Sequence, residues 1–278
     1  MIQKNLNVLL SNKSYKTLQM LYVLSVCYLE FIHCSCGERI YYGTDRNFDG
    51  TVPKSESYFI NSTSPQTLCN CALKCFQSVV FCIGFLFSSQ NASCKLLKTY
   101  LTDANKNGNF VGEDWEYRKR PTEILSLNKP VTASSNFEDY YPNAGHKLIY
   151  LVDGIKNAPG KFHTYYEPYP WVTIDLEKYS IIRDVVMYNR ADNHGRWLHS
   201  VEIRVGNSSV WSEMTTCGTY PGPSETGDII VVECRPSRYG RYVTLKIVQL
   251  NYITDDSNAK NGNNALVLEE VVINGLYL

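Results

Sequence analysis

The chain has 278 residues, with 27 lysines and arginines against 27 aspartates and glutamates and only 19% charged residues. A zero net charge lacks the basic excess that neutralising a phosphate backbone demands, so no nucleic-acid partner is expected. The 21 tyrosines and ten cysteines, in a chain long enough for one large domain or two ordinary ones, point instead to extracellular β structure stapled by disulfides.

Lys13 and Lys16 precede the apolar run LQMLYVLSVC from Leu18 to Cys27, and small residues follow up to Gly37. A bilayer span takes about twenty apolar residues and this run is half that. Residues 1–36 therefore read as a signal peptide region with no transmembrane segment, cleaved somewhere between Cys27 and Cys36. A secreted, extracellular protein follows, in which the sequons at Asn61, Asn91 and Asn207 become glycosylation sites.

Residues 37–120 form the first module. Its crowded cysteines, Cys69, Cys71, Cys75, Cys82 and Cys94, have no histidine among them, which favours disulfides over zinc. Ser64 and Pro65 read as an N-cap and first helical position opening PQTLCNCALKCFQS. Cys71 and Cys75 then lie one turn apart on one helix face. CIGFLFSSQNASCKLL reads as two strands joined by a polar turn, and bonds Cys71–Cys94 and Cys75–Cys82 would strap helix to hairpin. C-x3-C-x6-C, an aromatic strand, a further cysteine and EDWEYRK resemble a PAN/apple module. The resemblance implies a small disulfide-rich α+β surface for a protein or carbohydrate partner, without catalysis. The sequence departs from that pattern in Cys69, whose partner would have to be Cys34 or Cys36, and in having no cysteine near Trp115. A stabilised spacer is the alternative.

RKRPTEILSLNKP is the linker, with a boundary near residue 121. From there to residue 278, alternating runs recur between turn residues: WVTIDL from Trp171, IIRDVVMYN from Ile181, SVEIRVGN from Ser200, DIIVVEC from Asp228, YVTLKIV from Tyr242 and LVLEEVVI from Leu266. Period-two alternation without a convincing helix predicts an antiparallel β-sandwich or jelly roll, so the chain as a whole is mainly β. Cys217 and Cys234 flank GTYPGPSETGD and would tie a strand pair at one end.

Within this module His163 stands eight residues before Trp171 in HTYYEPYPW, and twenty-six residues separate it from Arg190 in YNRAD. A neutral imidazole offers a donor and an acceptor, and a guanidinium offers a planar set of donors, which suits a vicinal diol and a ring oxygen. This spacing, with LNKPVTASS, LVDGI, GRYVTL and LEEVVING, resembles the F-type lectin (fucolectin) family, whose fold is a galactose-binding-like sandwich. The resemblance implies that His163 and Arg190 bind fucosylated or related glycans and that Asp192 holds the arginine.

The family places a second arginine seven residues after the first, following two adjacent cysteines. Here Arg196 stands six residues on, Trp197 takes the seventh position, and Asn193 and His194 replace the cysteines. Arg196 reaching the sugar, and Trp197 or His194 offering it a stacking face, are both open readings. The resemblance also implies a structural calcium ion between Asp153 and Glu270, whose hard oxygens suit it, although Ile155 replaces the usual Asn. No G-x-S-x-G, H-E-x-x-H or G-x-x-x-x-G-K-[ST] motif occurs, so an enzyme is not expected. A monosaccharide's few polar contacts give weak affinity, so homo-oligomerisation or clustered glycans would supply the avidity that a role in innate recognition needs. The reading from another class is a discoidin-like adhesion or matrix protein that binds protein or phospholipid.

Overall fold

The computed structural model describes residues 42–54, 58–60, 67–78, 82–101, 114–156, 160–253 and 262–278. The signal region, Asn61, Ser64 and Pro65 lie outside them. The chain divides into two compact units between Pro121 and Thr122. Among the described residues no helix is long and apolar enough to cross a membrane.

The first unit runs through β1 (Gly43–Thr44), β2 (Phe59–Ile60), α1 (Leu68–Gln77), β3 (Gly84–Ser88), β4 (Ser93–Leu97) and β5 (Trp115–Lys119). The strands form an antiparallel sheet in the order β1-β5-β3-β4-β2. Period-two alternation feeds both sheet faces. Phe85 and Leu96 join Tyr42, Ala72 and the helix cysteines in one cluster, while Leu86, Leu97 and Tyr117 join Phe48 and Val52 in another. Disulfides Cys71–Cys94 and Cys75–Cys82 tie the buried face of α1 to β4 and to the segment entering β3, with Cα separations of 5.9 and 5.1 Å. The predicted helix start needs correction: α1 begins at Leu68, and the Thr67 hydroxyl accepts from the Asn70 amide at 3.2 Å. Thr67 has the extended backbone and the side-chain oxygen that an N-cap needs.

The second unit holds β6 (Glu123–Ile124), β7 (Val131–Ala133), β8 (Phe162–His163), β9 (Trp171–Asn189), β10 (Val201–Gly206), β11 (Thr215–Tyr220), β12 (Ile229–Ile247) and β13 (Val267–Tyr277). Four of the predicted strands are halves of two long ones: WVTIDL and IIRDVVMYN are continuous in β9, as DIIVVEC and YVTLKIV are in β12. The order is β11-β10-β12-β9-β13-β6, with β7 on β9 and β8 on β13.

The inward-facing positions of both long strands change phase midway. In β9 they are Val172, Ile174, Leu176 and Ile182, then Val185 and Met187; in β12 they are Ile230, Val232 and Cys234, then Val243, Leu245 and Ile247. Glu177 adopts a φ of 62°, and the β12–β9 register shifts between Glu233 and Arg238 and between Gly240 and Tyr242. These irregularities bend the long strands, so that both halves enclose one core as an antiparallel β-sandwich. Cys217–Cys234, with Cα atoms 4.2 Å apart, ties β11 to the first half of β12 as expected, and the two segments are packed together without ladder hydrogen bonds, since β11 pairs with β10 and β10 pairs with the second half of β12.

Candidate functional site

Lys161 and His163 flank Phe162, whose side chain is fully buried in the sandwich core. Alternation along a strand puts the two polar residues on the opposite face from Phe162. The β8–β13 register pairs His163 with Val267, and Thr164 closes the strand by donating its amide to the Leu266 carbonyl and accepting from the Leu266 amide on its hydroxyl. His163 is 4% exposed, and its Nδ1–H donates to the Thr164 carbonyl. That contact fixes the tautomer and leaves the lone pair on Nε2 as an acceptor. Burial, reinforced by the nearby His146, Arg190 and Lys161, lowers the imidazole pKa to about 3. The ring is neutral throughout the physiological range.

Arg190 follows the last residue of β9 and is 7% exposed. Its guanidinium grips Asp192 with two parallel bonds, Nε to Oδ1 at 2.8 Å and Nη2 to Oδ2 at 3.0 Å. It lies 4.8 Å from the Trp197 ring centroid. Lys161, itself 6% exposed, adds an ammonium 2.7 Å from Asp192 Oδ2. Arg190 first, and Lys161 with it, hold the Asp192 carboxyl well below the usual carboxylate range.

The loop after β9 is clamped from beneath. Asn189 Nδ2 donates to the carbonyls of Gly195 and Glu225 at 2.9 and 2.8 Å, the Ala191 amide donates to Glu269 at 2.9 Å, and the Gly227 amide donates to the Arg190 carbonyl at 2.8 Å. A Cβ on Gly195 would stand 2.3 Å from the Thr226 amide nitrogen, so only glycine lets the two loops meet this closely.

Three buried polar atoms in this cluster have no hydrogen-bond partner: Arg190 Nη1, Trp197 Nε1 and His146 Nδ1. The rings of His146 and Trp197 lie 5.2 and 6.0 Å from that of His163. Burial, followed by the charges of Lys161 and Arg190, lowers the pKa of His146 as well. Buried polar groups left unpaired are costly, and three of them in one cluster call for a partner that completes them.

Of the residues expected here, His163, Arg190, Asp192 and Trp197 come together. Trp197 is 6% exposed and covered by the guanidinium, so it supports Arg190 and presents no open stacking face. His194 is exposed with its ring 4.8 Å from that of Trp197, and Arg196 is exposed between buried Gly195 and Trp197. The second cation on Asp192 comes from Lys161, which sequence reasoning passed over, as it did His146 and Phe137. Alternation from His163 through the apolar Phe162 to Lys161 was the available signal for the lysine.

Asp153 and Glu270 also meet. Glu270 is 1% exposed and accepts the Gly154 amide at 3.2 Å, while Asp153 accepts the Ile155 amide at 2.8 Å. Burial first, and then the charge of Asp153, pushes the Glu270 carboxyl up to about 7. Two carboxylates with unrelieved repulsion are oxygen donors that fit a hard divalent cation. Among the described residues no group of three or more His, Cys, Asp or Glu is placed to hold a metal, so backbone carbonyls would have to complete such a site. Asn91 and Asn207 are both exposed.

Residues 150–245 match a family model described as the NedA-like, galactose-binding domain of the F5/F8 type C group. A search of curated proteins gave no match. Among solved structures, the chain is similar to an F-lectin (fucolectin) from striped bass (Morone saxatilis) serum at 23% identity and a TM-score of 0.46, over 57% of this chain and 50% of that one. The chain thus spans half the length of the bass protein. A Streptococcus pneumoniae fucose binding module is 20% identical with a TM-score of 0.41, over 55% of this chain and 94% of that one. A Clostridium perfringens module in complex with GalNAc-β-1,3-galactose is 16% identical with a TM-score of 0.42, over 54% and 99%.

Proposed function

We propose that the second unit is a lectin domain that binds a fucose-type or related sugar between His163, Arg190 and Lys161, and that the protein is secreted and acts by binding, without catalysis. The observation that carries this reading is the convergence of unpaired buried atoms around a neutral histidine: donors on Arg190 Nη1 and Trp197 Nε1 beside the acceptor His163 Nε2. A sugar hydroxyl both donates and accepts, so one hydroxyl donates to Nε2 while its neighbour accepts from the guanidinium. Asp192 is not needed to touch the sugar. It holds two cations in fixed positions, so that neither has to be ordered when the ligand arrives. The His163 to Arg190 spacing shared with F-type lectins supports fucose as the sugar.

Asp153 and Glu270 would hold calcium, whose charge would offset their repulsion and staple the segment before residue 156 to β13. The first unit, read as PAN/apple-like, serves as a protein- or glycan-interaction surface, and glycans on Asn91 and Asn207 would lie on exposed turns. A glycan array probed with the full chain, alongside binding to phosphatidylserine vesicles, tests the reading. Fucosylated spots should light up. Binding to vesicles with a blank array would assign the protein to the discoidin-like adhesion class instead.

A further inference from the structure

A tyrosine patch lies next to the sugar site. Tyr140 is 57% and Tyr141 52% exposed, and both rings stack on neighbours. Tyr140 stacks on Tyr165 at 4.0 Å with 20° between planes, and Tyr141 stacks on Phe137 at 4.8 Å. Phe137 in turn lies 4.4 Å from His163 and 6.2 Å from Tyr165. One aromatic network therefore runs from the floor of the sugar site to the protein surface.

The patch is held in place from both sides. Asn136 caps the short turn Phe137–Asp139, and the Tyr141 amide donates to the Phe137 carbonyl at 3.0 Å. The Tyr165 amide donates to Ser135 Oγ at 2.8 Å, while the hydroxyls of Ser134 and Ser135 both donate to Glu167 Oε1. Glu167 is itself paired through its backbone with Asn264. Rigid aromatic surface costs little to order on binding, and tyrosine offers an apolar face against which the C–H face of a pyranose packs while its hydroxyl stays wet.

We propose that Tyr140 and Tyr165 form a second sugar subsite, which takes the next pyranose ring of a glycan whose terminal sugar sits against His163 and Arg190. This rests on the lectin reading above. It assigns the protein an oligosaccharide ligand, with the tyrosines setting preference among glycans that share the terminal residue.

The test is calorimetric titration of the full chain with L-fucose and with the Lewis b tetrasaccharide, both monovalent in solution, repeated on Tyr140→Ser and on the double variant Tyr140→Ser/Tyr165→Ser. The tetrasaccharide should bind about tenfold more tightly than fucose. The double variant should lose that advantage yet keep its fucose affinity, which also shows that it is folded. Equal affinities for the two ligands in the native protein, or an advantage that survives in the double variant, would overturn the subsite while leaving the His163–Arg190 reading intact. Absence of binding to both ligands would overturn the two together. Dimerisation in sedimentation that the tyrosine changes abolish, with the glycan ratio unaltered, would assign the patch to a second copy of the chain and overturn the subsite.

Discussion

Burying a neutral histidine leaves a signature in the pH dependence of folding. The folded pKa of His163 lies near 3, below the ordinary 6.5, so between these values the unfolded chain binds one proton more than the native one. Stability is then lost as pH falls below about 6.5, at up to about 1.4 kcal/mol per pH unit from this residue. Going from pH 6.5 to pH 5 should cost about 2 kcal/mol on that account. His146 and His199 also have lowered pKa values, with burial as the leading cause, and they contribute slopes of the same sign. Replacing His163 isolates its share. Urea unfolding of the full chain at pH 5, 6 and 7, followed by tryptophan fluorescence, should give a steeper loss for the native protein than for His163→Gln, by about one proton's slope. Parallel slopes, or an imidazole resonance of His163 titrating near pH 6.5, would refute the reasoning, and with it the claim that Nε2 is a permanent acceptor.

Lys161→Met leaves Asp192 with Arg190 alone; because the Asp192 side chain is 45% exposed, stability should fall by only about 1 kcal/mol, whereas fucose affinity should drop about tenfold as the cation is lost. An affinity unchanged by Lys161→Met and abolished by Arg196→Ala would return the second cation to Arg196. Gly195→Ala forces a Cβ into the backbone at Thr226, so the loop must part from its support, and both the melting temperature and sugar binding should fall. A Gly195→Ala protein with native binding would show that the clamp does not position Arg190. Calcium should raise the melting temperature relative to a chelator, and Glu270→Gln should remove the difference. A melting temperature indifferent to both removes the ion from the account.

Much of this was legible in the sequence, for physical reasons. Period-two alternation marked every long strand of the second unit because its core is two-layered and each strand buries one face. It could not show that β9 and β12 run on through their bends, since EKYS and RPSRYG carry the polar and proline punctuation of turns. The cysteines of α1 were readable because helical spacing puts Cys71 and Cys75 on one face, whereas Cys217 and Cys234 only flank a loop, which shows that their strands are joined but not that those strands share no ladder. In the site, His163 and Arg190 stood out by their spacing. Lys161 was passed over, because its burial depends on Asp192 arriving from another loop. His146 and Phe137 come from a segment without strands or α-helices, where no periodicity points inward.

The central claim is that the guanidinium of Arg190, with its free Nη1 beside neutral His163, holds a sugar. The most direct measurement is calorimetric titration of native protein and Arg190→Ala with L-fucose, with near-ultraviolet circular dichroism to check the fold. The account predicts weak binding, near millimolar, by the native protein and none by a normally folded Arg190→Ala. Equal binding by the two proteins would contradict it.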